Sequence, residues 1–317
     1  MLKLLKMNMN STKTQFHQIA EKYFPLFEST LENAITFNFT DERKQLENAI
    51  HYSVKSSGKR IRPLITMATE NAISGQISTS SIIAVAIELI HCYSLIHDDL
   101  PAMDNDDFRR GKPTCHKAFG DDIAILTGDV LNTYVFEYLS TQLPNVTSTE
   151  NTLMTIQILA KACGANGMAG GQVLDLKSNL SNLSTLKQLQ TIHELKTGKL
   201  LNICFELPAL LSNDQTITNT IKKVGANFGL LFQIIDDILD DKASFNEIGK
   251  SPGKDKQQNK LTYPALLGHK EALNQANQLK TESFKLLDSI NINSEEIKEI
   301  FSYIFNKGAK YDVNNNH

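Results

Sequence analysis

The sequence predicts an all-α fold of about ten helices, several of them long, packed around a central pair. Three observations carry this. Apolar residues recur at intervals of three and four rather than two. Strict alternation over the length of a strand is hard to find. Only 8 prolines interrupt the 317 residues, and proline is the strongest breaker of helical runs. Hydrophobic residues make up 41% of the chain and charged residues 21%, the composition of a globular protein rather than a disordered one.

The elements follow in chain order. Phe16, Ile19, Ala20, Tyr23 and Phe24 mark a first amphipathic helix. Leu64, Ile65, Ala68 and Ala72 mark another, and Ile83, Ala86, Ile87 and Ile90 a more apolar one. Ile156, Leu159, Ala160 and Cys163, then Ile217, Ile221, Val224 and Phe228, repeat the same period. Helix starts are expected at Thr40 with Arg43 behind it, and at Ser78, Asp121, Ser184 and Ser294, where small polar or acidic residues precede periodic runs. No composition shift, Pro/Ser linker or fixed-period repeat divides the chain. The expectation is an N-terminal tail over 1–13, one domain over 14–310, and a polar C-terminal tail over 311–317.

Charge and cysteine use narrow the function. Lys and Arg number 32 against 35 Asp and Glu, a net charge of -3, so no general attraction to nucleic acid is expected. The most apolar run, IIAVAIELI at 82–90, is short of the ~18 residues a membrane helix needs and carries Glu88; no membrane insertion is expected. The start, MLKLLKMNMNSTK, lacks a long apolar stretch and a small-residue cleavage site. Cys92, Cys115, Cys163 and Cys204 are scattered without a C-x-x-C pair, which fits a reducing, cytoplasmic setting.

Charged, irregular segments lie between the long apolar helices, at 98–122, at 242–261 and from Tyr311 onward. Such insertions are where function concentrates. A first acidic cluster, Asp98, Asp99 and Asp104, follows AVAIELIHCYSLIH. Pro101 breaks the helix and turns Asp104 back toward its end. A second cluster sits in FQIIDDILDD, with Asp236, Asp237 and Asp240. Asp236 and Asp240 share a helical face, where like charges cost a few tenths of a kcal/mol, and more among isoleucines. A cation should offset that cost. All-oxygen ligands with positions left for water and phosphate suit magnesium rather than zinc.

Basic groups complement these acids. SGKRIRP presents Lys59 and Arg62, FRRGKP presents Arg109 and Arg110, HELKTGKLL presents Lys196 and Thr197, and the 242–261 segment presents Lys250, Lys254 and Lys260. Arg forks suit bidentate phosphate contacts and Lys supplies a mobile point charge. The cations form no single stripe, so small diphosphates fit better than a nucleic-acid backbone. His91 and His97 are six residues apart and do not share a face; neither has a role fixed by spacing alone.

HCYSLIHDDLPAMDNDDFRRGKPTCHKAFG with LTGD, then KTGKLL, FQIIDDILD and KLTYPALLG, resembles the trans-polyprenyl diphosphate synthases, above all the bacterial farnesyl diphosphate synthases. The resemblance runs from about residue 20 to about residue 290, with five motifs in the family's order. It implies an isoprenoid-synthase bundle of about ten or more helices around a deep central cavity. It implies catalytic roles for Asp98, Asp104, Lys196 and Asp236. Asp98, Asp99 and Asp104 with Asp236, Asp237 and Asp240 would hold about three magnesium ions. Arg109, Lys196, Thr197, Gln233, Lys250 and Lys260 would contact the allylic diphosphate. Gly58, Lys59, Arg62, His91 and Arg110 would hold isopentenyl diphosphate. A homodimer is implied too. The end of the chain, FNKGAKYDVNNNH, departs from the basic C-terminus of many members: it has Lys307 and Lys310 but no Arg.

The implied reaction is magnesium-dependent condensation of isopentenyl diphosphate with dimethylallyl or geranyl diphosphate to farnesyl diphosphate, releasing diphosphate. Tyr93, five residues before Asp98, is the expected floor that stops the growing tail. The rivals are a geranylgeranyl diphosphate synthase, an HD-type metal phosphohydrolase suggested by His91 and His97-Asp98, and a non-catalytic partner subunit of the same fold. A terpene cyclase would replace the second cluster by an Asn/Ser/Glu triad, which DDILD is not.

Overall fold

The computed structural model describes residues 14–56, 58–178, 185–242 and 261–313. They belong to two compact units, one within Met1–Met67 and Ile77–Leu153, the other within Ala68–Gln76 and Met154–His317. The described residues are predominantly helical, as the three-and-four spacing predicts, and the strands among them are one hairpin of two-residue strands.

In the first unit, α1 (Gln15–Ala34) buries Phe16, Ile19, Ala20, Tyr23, Phe27 and Leu31. Phe24, expected on this stripe, is half-buried, because the stripe continues through Phe27 and Leu31. Thr40 does not start a helix. Asp41 accepts from the backbone N–H and the guanidinium of Arg43 and forms a turn, so α2 (Lys44–Val54) begins after Arg43. α3 (Ile61–Ser74) contributes to both units. α4 (Ser78–Asp98) is the first unit's core: Ile83, Ala84, Val85, Ile87, Leu89 and Ile90 have no exposed surface. Each such Ile or Leu contributes about 1.5–3 kcal/mol of burial. At 21 residues α4 is longer than the apolar run suggested and is long and apolar enough to cross a membrane, yet 72% of its most apolar stretch is buried inside the protein.

α4 ends at Asp98, and a turn leads into the antiparallel hairpin β1 (Phe108–Arg109) and β2 (Lys112–Pro113). Its two connecting residues, Arg110 and Gly111, have φ of 53° and 74°, as a two-residue hairpin loop demands. Short α5 (Cys115–Phe119) and α6 (Asp121–Gln142) follow. α6 packs against α4 through Ala124, Thr127, Gly128, Leu131 and Val135. α7 (Thr149–Cys163) buries Thr152, Thr155, Leu159, Ala162 and Cys163. That face is rotated from the expected one: Ala160 is exposed.

In the second unit, α8 (Met168–Ser178) is followed by α9 (Leu186–His193), whose N-terminus carries a reciprocal Thr185–Gln188 capping box. The predicted start, Ser184, lies outside the described residues. α9 passes through a π turn, Glu194–Gly198, into α10 (Lys199–Leu210). The long α11 (Gln215–Lys242) packs on α10, on α13 (His269–Asp288) and on α14 (Glu295–Val313). α12 (Tyr263–Leu267) precedes α13. Phe205, Phe228 and Phe301 from α10, α11 and α14 form an aromatic knot, with centroids 4.8–6.3 Å apart. α14 continues helically to Val313, past the expected tail boundary at 311.

Candidate active site

The first acidic cluster owes its shape to the end of α4. The Asp104 N–H donates to the Asp98 carbonyl at 2.8 Å, and the Asp106 N–H to the Asp99 carbonyl at 3.2 Å. The segment after Pro101 thus folds back, and Asp98 and Asp104 share one turn. Asn105 adopts φ 50° to close it. Asp99 is nearly buried and both of its oxygens are taken: Arg109 forks it with Nε and Nη2 bonds of 2.6–2.9 Å. Burial pushes the Asp99 carboxyl up, and Arg109 opposes that shift. Burial would lower the Arg109 guanidinium, but the Asp99 hydrogen bonds and charge outweigh it and hold it above its ordinary value. At these distances the pair is ionised.

His97 is seated against α6. Its Nε2 donates to the Ile125 carbonyl at 3.1 Å, and a Cβ on Gly128 would lie 2.7 Å from its Cε1. Gly128 is therefore the notch that admits the ring. Tyr93 meets His97 edge to face at 5.9 Å, so the expected floor residue and the acidic turn are braced by one imidazole.

A cationic cleft opens beside this turn, lined by His91, Arg60, Arg109 and Arg110 together with Glu88 and Cys92. Arg110 lies across the Gly58 backbone: a Cβ there would stand 2.6 Å from Nη1. Gly58, His91 and Arg110, three of the residues expected to hold isopentenyl diphosphate, are thereby close together. Lys59 is exposed, and Arg62 keeps a buried Nε with no hydrogen-bond partner. His91 is held well below the ordinary imidazole range, by burial first and then by Arg62, Arg110, Arg109 and Arg60. It is neutral at pH 7 and can donate one N–H without adding charge.

Arg60 was not legible as a site residue. It adopts φ 49° and donates to Glu88 at 2.7 Å, to the Val54 carbonyl at 2.8 Å and to Glu28 at 3.3 Å. Arg60 and Glu88 are 6% and 4% exposed. Burial opposes the Arg60 charge, and Glu88 with Glu28 more than restores it.

The second unit presents Lys196 and Thr197 within the π turn, a distortion that recurs at functional sites. Lys196 Nζ pairs with Asp175 Oδ2 at 2.6 Å. A Cβ on Gly171 would come within 2.6 Å of the Lys196 Cα, so that glycine lets α8 touch the turn. Asp175 went unnoticed in the sequence; its signal is the GGQVLD run that opens α8, whose Gln172 amide is buried without a partner. On α11, Asp236 is exposed whereas Asp237 and Asp240 are 5% and 7% exposed. Asp237 accepts from Gln233 Nε2 at 3.0 Å and from the Tyr263 N–H at 2.9 Å. Lys250, Lys254 and Lys260 lie outside the described residues.

Among the described residues, no three carboxylate, imidazole or thiol groups converge closely enough to hold an ion as the side chains stand. Asp99 is committed to Arg109, and Asp237 to Tyr263 and Gln233. Carboxylates also repel one another without a cation. The donor set nonetheless fits magnesium: it is carboxylate oxygen, and the backbone bond between Asp104 and Asp98 already places two donors on one turn.

Comparison with known proteins agrees with this geometry. Residues 43–304 match the family described as polyprenyl synthetase. A farnesyl diphosphate synthase of Geobacillus stearothermophilus is 46% identical over 233 residues, covering 72% of this chain and 78% of that protein. A geranylgeranyl diphosphate synthase of Cyanophora paradoxa is 43% identical over 237 residues, covering 74% and 79%. The structure resembles a Helicobacter pylori geranyltransferase solved with magnesium and isoprenyl diphosphate, with TM-score 0.80 and 34% identity over 95% of this chain and all of that one.

Proposed function

The chain belongs to the polyprenyl synthetase family, and on that premise we propose that it condenses isopentenyl diphosphate head to tail with dimethylallyl and then geranyl diphosphate, releases diphosphate, and stops at farnesyl diphosphate. The observation that carries this is the cleft in which Arg110 rests on Gly58 beside Arg109 and a neutral His91. Such a cradle binds a compact polyanion by charge and by N–H donation. A phosphohydrolase of the HD type is set aside by the family match, and a non-catalytic subunit by the intact aspartate clusters.

Bond breaking leaves negative charge on the bridging oxygen of the departing diphosphate and positive charge on the allylic carbon. Magnesium, which Asp98 and Asp104 on their shared turn would hold, would supply neutralisation of that oxygen. Arg109, beside that turn, offers fixed positive charge to the same leaving group. Two unit charges 4 Å apart interact by about 4 kcal/mol at an effective dielectric of 20, so each cation counts. Stabilisation that grows as charge develops lowers the barrier rather than merely tightening binding. Arg110, Gly58 and His91 hold isopentenyl diphosphate with its double bond toward the cation. No side chain is assigned as base; the released diphosphate takes the proton lost in forming the new alkene.

The relative named geranylgeranyl diphosphate synthase favours a second reading, a twenty-carbon product. Incubation with magnesium, labelled isopentenyl diphosphate and each of dimethylallyl, geranyl and farnesyl diphosphate separates the two. Farnesyl diphosphate should form from the first two, and farnesyl diphosphate itself should be a poor acceptor. Release of phosphate without chain elongation would refute the reading. We further propose a cytoplasmic homodimer. Ile125 and Leu126 on α6 are 45% and 50% exposed, and Val173 on α8 is 56% exposed. Sedimentation should give twice the chain mass.

A further inference from the structure

We propose that the second acidic cluster is divided by role: Asp237 and Asp241 are positioning residues that pin the chain at Tyr263 and His269 onto α11, while the exposed Asp236 is left to face a cation. This rests on the functional reading above for the Asp236 half alone. FQIIDDILDD contains two pairs at i and i+4, Asp236 with Asp240 and Asp237 with Asp241. One residue of offset turns the second pair by about 100° around the helix, so the pairs face different surroundings.

The second pair is committed to the protein itself. Asp237 is 5% exposed, and its two oxygens accept separately from Gln233 Nε2 at 3.0 Å and the Tyr263 N–H at 2.9 Å. Asp241 Oδ2 accepts from His269 Nε2 at 2.6 Å. The acceptors thus bracket α12, which Thr262 caps at one end and Gly268, at φ 79°, closes at the other. Tyr263 is fully buried, and its ring lies 5.6 Å from that of His193. His193 is the last residue of α9 before the π turn that carries Lys196 and Thr197. Asp237 therefore acts through Tyr263 on the segment that presents Lys196. Asp236, by contrast, is exposed.

A tether and a metal ligand answer differently to amide substitution. Asn keeps one oxygen for the Tyr263 N–H, and a flipped Gln233 amide can accept from its nitrogen. Asn is a poor substitute where a carboxylate must neutralise a divalent ion. The test uses the full chain. Amide hydrogen exchange at 261–269 is measured without metal, and the magnesium concentration for half-maximal turnover is measured separately. Asp237→Ala should raise exchange at Tyr263 by about tenfold or more. Asp237→Asn should hold exchange and half-saturating magnesium within about twofold of the starting protein. Asp236→Asn should leave exchange at Tyr263 unchanged and raise half-saturating magnesium by about tenfold or more. A magnesium shift in Asp237→Asn as large as that in Asp236→Asn overturns the division, as does unchanged exchange in Asp237→Ala. If Asp237→Ala does not fold, Asp237→Asn decides alone. The exchange readout needs no turnover, so absence of prenyl transfer would sink the functional reading and leave the tether standing.

Discussion

Separating Arg60 from Glu88 tests whether the cleft is built on a buried ion pair. The two meet at 2.7 Å and both are nearly inaccessible. Glu88→Leu leaves the guanidinium with the Val54 carbonyl at 2.8 Å and Glu28 at 3.3 Å, whose side chain is 44% exposed. Breaking a buried pair from one side costs about 3–5 kcal/mol, because the orphaned charge stays desolvated. Glu28 offsets part of this, so about 3 kcal/mol is expected for Glu88→Leu. Arg60→Met leaves Glu88 desolvated, attracted by Arg110 through charge rather than a hydrogen bond, and should cost about 4 kcal/mol. The double variant buries no charge at this point. Apolar replacement of a whole buried pair is often neutral or stabilising, so it should lie within about 1 kcal/mol of the starting protein. Urea unfolding followed by circular dichroism, run as a double-mutant cycle, reads these differences. Single variants that each lose less than about 1 kcal/mol, or losses that simply add in the double variant, would refute the reasoning.

Tyr93→Ala should lengthen the product, seen by chromatography, since each further isoprene unit gains about 3–4 kcal/mol of burial that only a steric stop can oppose; an unchanged product distribution counts against it. Gly128→Ala should expel the His97 ring, whose Cε1 the new Cβ would approach to 2.7 Å, at a cost of about 1–3 kcal/mol. His97→Ala in that background should recover part of the lost thermal midpoint. Stability should fall with acid below about pH 6.5, where an unfolded imidazole takes up a proton. His193 is lowered to about 4, by burial first and Lys196 second, with Asp175 opposing. Its contribution is complete above the unfolded value and fades as pH falls toward about 4. His91 acts with the same sign, and His193→Gln should flatten the slope of unfolding free energy against pH. Chelation by EDTA should abolish condensation and leave the far-ultraviolet dichroism intact, with magnesium restoring turnover.

Much of this protein was written locally. The three-and-four spacing of Ile83, Ala86, Ile87 and Ile90 needs only the geometry of a helix to place them on the buried side of α4. The aspartate clusters, FRRG and KTG were visible because phosphate and magnesium chemistry confines residue types at short spacing. Where the local signal was weak, as on α7, small residues such as Ala160 and Thr152 fit either face and the face was misjudged by part of a turn.

The uses of particular side chains were not local. Asp98 and Asp99 are alike in sequence, yet it is the second that Arg109, ten residues on, forks. Asp237 and Asp236 are neighbours, yet one receives the Tyr263 N–H from 26 residues away while the other is exposed. Arg60 carries no signal of its own within SGKRIRP, and Glu88, 28 residues away, meets it in the interior. Periodicity and motif chemistry follow from covalent spacing along the chain and can be read without folding it. Hydrogen-bond partners, burial and the pKa shifts they cause depend on which distant atoms arrive within a few ångströms, and that is settled when the helices pack.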